Sequence, residues 1–275
     1  MPSSNQHEII SERILFRSAL LEREVIIDFF CPSSIHKTHK ADLLLINDGQ
    51  NLEELGLVEI LANLYNKQSI SSVICVGIHS GERRLQEYGI ARKPDYLGRG
   101  GLASGYADFV LQELLPFIRT KYSVVKIREA AFAGFSLGAL MALDIVFNHP
   151  HIFTRAGMFS GSFWWRSLDH TDQGYDDRLH RIIHQEIRNG SHHPGLKFFF
   201  QCGGLDETGD RNKNGIIDSI DDTLDLINEL VAKGYNRKKD ILYYEMPEGR
   251  HDIGTWAQAM PVFLKWGWGK KRWLG

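Results

Sequence analysis

Residues 131–140 constrain the fold of this chain more than any other feature. Their sequence, AFAGFSLGAL, predicts a short strand, a sharp turn that carries Gly134, Ser136 and Gly138, and a helix that runs to Asn148. This is the G-x-S-x-G pattern in the strand-to-helix context where a serine hydroxyl projects from a strained turn. Side chains in place of the two glycines would collide with the neighbouring strand and helix. The stretch therefore predicts a nucleophilic serine, and the alternative is a glycine-rich junction without chemistry.

A serine needs a general base, and the best-placed histidine is His251. Residues 240–246 predict the last strand, and Pro247-Glu-Gly-Arg250 leads from it to His251. After a nucleophile elbow, the orienting acid comes next along the chain and the histidine comes last. Of the twelve histidines, His79 also closes a predicted strand, but it precedes Ser136 and so does not fit that order.

The orienting acid is expected after the predicted strand 196–202. The loop that follows reads Gly203-Gly-Leu-Asp-Glu207, and its two glycines allow the backbone to turn just before Asp206. We therefore favour Asp206 as the acid. Glu207 is a close competitor and Asp210 a weaker one, and the same carboxylates could simply solvate an acidic loop.

Several further segments, taken together with the elbow, resemble one protein family. They run in family order from about residue 41 to about residue 256, and they are LLLINDGQN at 43–51, VGIHSGERRLQEYG at 76–89, GMFSGSFWW at 157–165, CGGLDE at 202–207 and EGRH at 248–251. The chain resembles the esterase D branch of the α/β-hydrolases, close to the enterochelin-esterase-like proteins. The resemblance implies ester chemistry at Ser136, and it defines the reaction class better than the substrate.

The pattern of apolar residues predicts an α/β fold. Strands are expected at 12–20, 22–31, 41–47, 72–79, 129–135, 153–160, 196–203 and 240–246, and helices at 52–66, 104–121, 136–148, 176–188, 221–233 and 254–267. The first two strands suggest an antiparallel hairpin, and the later alternation of strands and helices predicts a mostly parallel sheet with helices on both faces. We expect one α/β-hydrolase domain, 1–275, with a calcium-loop-like insertion at 206–221.

Composition agrees with a cytoplasmic enzyme that acts on a small molecule. The formal net charge is −2, so nothing predicts a nucleic-acid or membrane partner. Cys31, Cys75 and Cys202 lie in or beside apolar strands and are expected to be reduced. Residues 1–8 have neither a basic nor an apolar region, so no signal peptide is expected, and no apolar run has the length of a membrane span. The oligomeric state is not predicted.

Two backbone N–H groups are the expected oxyanion hole. One belongs to Leu137, which follows the serine at the positive end of the helix dipole. The other is expected after the third strand, where Gly49 allows close approach and Gln50 supplies the N–H. The alternative is that Asp48-Gly49 only forms a turn.

The long irregular segment 80–104 is a candidate substrate-binding loop, because such loops in compact domains are usually functional. Its arginines, including Arg83 and Arg84, could select an acidic or aromatic substrate, or they could simply solvate the loop. Trp164 and Trp165 follow another strand end, where Trp165 is a candidate to line the pocket and core packing is the alternative.

A calcium-binding pattern follows the candidate acid. Residues 210–221, DRNKNGIIDSID, carry oxygen side chains at loop positions 1, 3, 5, 9 and 12 with a glycine at position 6. The alternative is an Asx-rich turn that caps the next helix. The expected ligands are Asp210, Asn212, Asn214, the Ile216 carbonyl, Asp218 and Asp221. The role expected for Ca²⁺ is structural, and no organic cofactor is expected.

These features together predict a serine carboxylic-ester hydrolase. Ser136, His251 and Asp206 form the predicted triad, and catalysis is expected to pass through an acyl-enzyme. The substrate is unknown, with siderophore-like and aromatic acyl esters as candidates. An acyltransferase would use the same residues, and a non-catalytic binding protein with a hydrolase fold is the other alternative.

Overall fold

An eight-stranded sheet runs through the part of the chain that the structure, a computed structural model, describes: residues 8–270. The strands are β1 Ile9–Ser18, β2 Arg23–Pro32, β3 Lys40–Asn47, β4 Val73–Ile78, β5 Lys126–Phe135, β6 Phe153–Phe159, β7 Lys197–Leu205 and β8 Ile241–Arg250. Their order across the sheet is β1-β2-β4-β3-β5-β6-β7-β8. All eight lie within a few residues of the predicted strands.

The sheet is antiparallel at one end and parallel elsewhere. Strand β1 pairs antiparallel with β2, and β2 pairs antiparallel with β4. The five remaining pairs, from β4–β3 to β7–β8, are parallel. The predicted N-terminal hairpin and mostly parallel sheet are confirmed.

Helices cover both faces of the sheet. They are α1 Leu57–Asn66, α2 Arg84–Glu87, α3 Ala103–Asp108, α4 Leu115–Lys121, α5 Leu137–Asn148, α6 Asp177–His180, α7 Ile182–Asn189, α8 Asp218–Lys233 and α9 Ile253–Trp268. Helices α1 and α9 pack on one face, and α3, α4, α5, α7 and α8 pack on the other. Strand β3 shows the alternation that this requires, since Leu43 and Leu45 face one layer while Leu44 and Ile46 face the other. The α/β-hydrolase class is confirmed.

Three predicted helices differ from the observed ones for local reasons. Helix α1 begins at Leu57 rather than at 52, because Gly56 has a left-handed φ of 73°. The predicted helix 104–121 contains a π-helical turn, Phe109–Leu114, just before Pro116, which has no N–H to donate. The predicted helix 176–188 is divided at Arg181, whose backbone is extended.

Residues 1–7, where no signal peptide is expected, and residues 271–275 lie outside the described residues. Within 8–270, no helix combines the length and the apolar character needed to cross a membrane.

Candidate active site

The turn at Ser136 has the strained geometry of a nucleophile elbow. Ser136 has φ 54° and ψ −120°, a backbone conformation that residues other than glycine rarely adopt. A Cβ built on Gly134 would lie 2.3 Å from the Gly138 carbonyl oxygen, and one on Gly138 would lie 3.0 Å from the Asn47 Cβ. Both glycines are therefore required by close contacts, as the sequence predicts.

Hydrogen bonds from the neighbouring strand fix the serine. The Ser136 N–H donates to the Phe159 carbonyl at 2.9 Å, and the Ser136 carbonyl accepts the Ser162 N–H at 3.2 Å. The Ser162 hydroxyl lies 3.3 Å from the Ser136 hydroxyl, so either of the two can donate a hydrogen bond to the other. The residues at and after the carboxyl ends of β5 and β6 thus jointly fix the position of Ser136.

His251 lies directly after β8 and at the start of α9. Its ring meets Trp256 edge to face with centroids 5.4 Å apart, and Trp256 stacks on Phe135, the residue before the serine, at 4.9 Å. Burial lowers the pKa of His251, whereas the Asp206 carboxylate acts to raise it. Within residues 8–270, no hydrogen bond joins the His251 ring to Ser136 or to Asp206. The structure therefore brings Ser136, His251 and Asp206 to one edge of the sheet, but the hydrogen bonds of a catalytic triad are not formed.

Asp206 follows β7 and points back into the protein. Its Oδ2 accepts the Gly203 N–H at 3.0 Å. Its Oδ1 is buried. Burial raises the pKa of Asp206, and the Gly203 N–H, the Ser160 hydroxyl and the nearby His251 oppose that rise. The carboxylate is thus held by its own turn and by Ser160, and its charge still acts on the imidazole of His251.

The two other candidate acids face different neighbours. Burial raises the pKa of Glu207, and the neighbouring Ser219, at the start of α8, opposes that rise. Asp210 accepts backbone hydrogen bonds within the next loop. Of the three carboxylates, Asp206 is the one whose charge acts on His251.

The predicted oxyanion donors lie in the turn after β3 and in the first turn of α5, and a hydrogen bond joins these two turns. Neither the Leu137 N–H nor the Gln50 N–H is donated to another group in the described part of the chain. The Asn47 side chain donates to the Gly138 carbonyl at 2.8 Å and so ties the end of β3 to the first turn of α5. A Cβ on Gly49 would lie 2.6 Å from the backbone of Gly77, so this turn also requires glycine.

The three predicted substrate-binding side chains have different surroundings. Arg84 forms two hydrogen bonds to the Asp48 carboxylate, at 2.7 and 2.8 Å. Arg83 donates to the Leu21 carbonyl at 2.6 Å, on the N-terminal hairpin. Trp165 is 0 % exposed and packs against the 80–104 segment, so it does not face a solvent-filled pocket.

The predicted calcium loop closes on itself through its oxygens. Asp210 accepts the backbone N–H groups of Asn214 at 3.1 Å and Gly215 at 2.9 Å. Asp221 accepts the side-chain amides of Asn212 at 2.8 Å and Asn214 at 2.7 Å. Four of the six expected ligands are therefore close together.

The two remaining expected ligands have other contacts. Asp218 accepts the backbone N–H of Arg211 at 2.9 Å and pairs with its guanidinium at 3.0 Å. Ile216 is exposed, and its N–H donates to Asn214. No group of three or more His, Cys, Asp or Glu side chains in residues 8–270 is placed to hold a metal ion. A cation here would therefore depend on asparagine and backbone oxygens as well as on carboxylates.

Sequence reasoning missed four residues that shape this site: Asn47, Asp48, Ser162 and Trp256. Asn47 and Ser162 lie within segments that resemble the family, but nothing in their spacing signals a contact with the elbow. Trp256 is five residues beyond His251, on the next helix, and this short separation was the available clue.

The comparisons with known proteins agree with the fold. The chain is 24 % identical over 233 residues to the uncharacterized protein YbbA of Bacillus subtilis, covering 82 % of this chain and 85 % of that protein. The enterobactin esterase FES from Shigella flexneri superposes with a TM-score of 0.70 at 20 % identity, over 95 % of this chain and 60 % of that one. The chain thus spans about 60 % of the length of that structure.

A second solved structure matches over nearly its whole length. The siderophore hydrolase EstB from Aspergillus nidulans superposes with a TM-score of 0.68 at 18 % identity, covering 93 % of this chain and 94 % of that chain. The model of the family described as "Putative esterase" matches residues 18–266. The chain therefore belongs to this esterase family and is a carboxylic ester hydrolase.

Proposed function

We propose that the chain hydrolyses esters through a Ser136–His251–Asp206 triad and an acyl-enzyme. The observation that carries the proposal is the strained backbone of Ser136 at the carboxyl end of β5. Strain of this kind persists where the surrounding structure requires it, and it concentrates at functional sites.

The proposed reaction begins with attack of the Ser136 oxygen on the ester carbonyl carbon. His251 takes the hydroxyl proton as the new C–O bond forms, and it then delivers that proton to the departing alkoxide. Water adds to the acyl-enzyme with His251 again as the base, which releases the acid and restores the serine.

The tetrahedral intermediate carries a negative oxygen that the proposed mechanism must stabilise. The Leu137 N–H and the Gln50 N–H are the proposed donors, and both are free within the described chain. Two donors aimed at the developing charge, in a site that excludes water, are worth several kcal/mol of transition-state stabilisation.

Two observations support Asp206 as the orienting acid. Its charge acts to raise the pKa of His251, and His251 in turn acts to lower the pKa of Asp206. Rotation of the His251 ring toward Asp206 would add a hydrogen bond between the two side chains and would stabilise the imidazolium formed during attack.

The proposed substrate is an ester of an aromatic or siderophore-like acid. The matched structures from Shigella flexneri and Aspergillus nidulans are described as an enterobactin esterase and a siderophore hydrolase.

Two further proposals concern the surroundings of the site. The loop at 210–221 would bind Ca²⁺ in a structural role, supported by the hydrogen bonds that already link Asp210, Asn212, Asn214 and Asp221 within the loop. The cytoplasm is the proposed compartment, supported by three cysteines that are free and buried.

A panel of p-nitrophenyl, feruloyl and siderophore esters tests the proposed function. Hydrolysis should be abolished by Ser136→Ala, and mass spectrometry of a slow substrate should find the acyl group on Ser136. An acyltransferase would instead form a new ester or thioester when an alcohol or thiol is added. A Ser136→Ala variant that keeps its hydrolytic activity would overturn the proposed mechanism.

A further inference from the structure

The predicted oxyanion loop, residues 48–50, is fastened to the segment that carries helix α2. The Asp48 carboxylate accepts two hydrogen bonds from Arg84, Nε to Oδ1 at 2.7 Å and Nη2 to Oδ2 at 2.8 Å. The Gln50 side chain donates to the Ser80 hydroxyl at 2.8 Å, and its oxygen accepts the Ser80 N–H at 3.1 Å. The loop that presents the Gln50 N–H is thus held from outside its own strand and helix.

Asp48 combines a buried carboxylate with a left-handed backbone conformation. Its side chain is only 2 % exposed, and its backbone has a left-handed φ of 59°. A Cβ built on Gly138 would lie 2.7 Å from Asp48 Oδ2, so the carboxylate rests against the first turn of α5, next to Leu137. Both predicted oxyanion donors are therefore close to a buried negative charge.

A buried carboxylate in this position would oppose the chemistry if it were unpaired. Like charges repel strongly in a site of low dielectric, so an unpaired Asp48 would raise the energy of an oxyanion formed nearby. The two-point contact with Arg84 neutralises the carboxylate and also fixes its orientation.

We infer that Asp48 and Arg84 are a pair of positioning residues, which hold the Gln50 N–H in place and keep the oxyanion site electrically neutral. The inference rests on the proposed function, because it assigns a role within that oxyanion hole. It gives Arg84 a different task from substrate recognition, for which its guanidinium would have to be free.

The two roles predict opposite kinetic behaviour. A substrate contact made equally in the ground and transition states affects KM, whereas an oxyanion contact affects kcat. Loss of the pair should therefore lower kcat for neutral and acidic esters alike. Loss of a substrate contact should raise KM for acidic esters alone.

The test is a double-mutant cycle with Arg84→Gln, Asp48→Asn and the double variant, assayed on a neutral and an acidic p-nitrophenyl ester. Arg84→Gln leaves the carboxylate unpaired and should lower kcat about 100-fold on both esters, comparable to removal of an oxyanion donor. Asp48→Asn removes the charge with little change of shape and should lower kcat about 10-fold. The double variant should be more active than Arg84→Gln alone.

The pH profile is a second readout that a purely structural role would not move. The charged groups that act on His251 are Asp206, Arg84 and Asp252, and the Arg84 cation lowers the pKa of that histidine. Arg84→Gln should therefore move the acid limb of kcat/KM to higher pH. Asp48→Asn leaves the cation uncompensated and should not move the limb in that direction.

A matched control is the ion pair at the opposite end of β3. Arg128 on β5 makes the same two-point contact with the buried Asp42 on β3, at 3.0 and 2.7 Å. Arg128→Gln should lower the melting temperature by a few degrees, as expected for loss of a partly buried ion pair in a large domain, and should leave kcat within about twofold.

Each alternative outcome identifies what failed. A rise in KM for acidic esters with kcat unchanged would make Arg84 a substrate contact, and equal losses of kcat in Arg84→Gln and Arg128→Gln would reduce the pair to a general stabilising role. Either result overturns the inference. If Arg84→Gln does not fold, Asp48→Asn and the double variant still test the inference. In that case the kcat of the double variant must not be more than a few-fold below the kcat of Asp48→Asn. Hydrolysis by Ser136→Ala would instead remove the proposed function itself.

Discussion

The two ends of strand β3 carry the same kind of ion pair in different surroundings. At the amino end, Arg128 binds Asp42 through two hydrogen bonds, and at the carboxyl end Arg84 binds Asp48 in the same way. Both carboxylates are buried, and both arginines are partly exposed. The chemistry of the contact therefore does not distinguish the two edges of the sheet.

Backbone strain does distinguish them. Asp48, Ser136 and Ser160 have positive φ values of 59°, 54° and 46°, and each follows the carboxyl end of a neighbouring strand, β3, β5 or β6. Asp42 and Arg128 lie within strands, at a register shift between β3 and β5, and neither has a positive φ. One ion pair therefore joins two paired strands, whereas the other holds a strained turn next to a reactive serine.

The largest contrast between the edges is expected for the serine and the histidine. Ser136→Ala and His251→Ala should each lower kcat by about 10⁴- to 10⁶-fold, and the double variant should be little worse because the two residues act as one unit. Ser71, at the amino edge, is the matched serine, since its hydroxyl donates to the Trp268 carbonyl at 3.4 Å. Ser71→Ala should keep normal kcat. Losses that add in the double variant would show that the two residues act separately.

The next effect concerns the acid. Asp206→Asn should lower kcat by about 10²- to 10⁴-fold, because the amide cannot stabilise the imidazolium that forms during attack. Glu207→Gln is the matched control one residue away, and it should change kcat by less than about threefold because Glu207 faces the start of α8. The opposite ranking in steady-state assays would move the role of the acid to Glu207.

A smaller effect is expected in the pH dependence. His251 must be neutral to act as a base, and its pKa is lowered by burial, so the acid limb of kcat/KM should lie below pH 6.5. The Asp206 charge raises this pKa, so in Asp206→Asn the limb should move to still lower pH. A limb that lies above pH 6.5 in the unaltered protein would contradict the assignment of His251.

The sequence predicted part of the carboxyl edge of the sheet. Features set by residues close together in the sequence were predictable, and contacts between distant residues were not. The elbow glycines and the eight strands were predictable because local spacing and apolar patterning determine them. The contact between Asp48 and Arg84 spans 36 positions and depends on how two loops meet, which no local pattern encodes. Trp165 shows the same limit, since adjacent tryptophans do not reveal which ring is buried.

The smallest expected effect extends the comparison to β7, whose carboxyl end carries Asp206 and then the 210–221 loop. Here Asp210 and Asp221 both accept hydrogen bonds from Asn214, and a bound cation would neutralise them as Arg84 neutralises Asp48.

We therefore expect addition of Ca²⁺ to raise the melting temperature by a few degrees and chelation to reverse the rise, because a ligand that binds only the folded state stabilises it. The double variant Asp210→Asn, Asp221→Asn should abolish the rise in melting temperature with calcium. Asp42→Asn, at the amino edge, should lower the stability of the protein but keep the calcium-dependent rise. Activity should fall only weakly on chelation, since the ion would order the segment after Asp206 and would take no part in the reaction. Melting curves that are identical with chelator and with millimolar calcium would show that the loop is an Asx-rich turn without a bound cation.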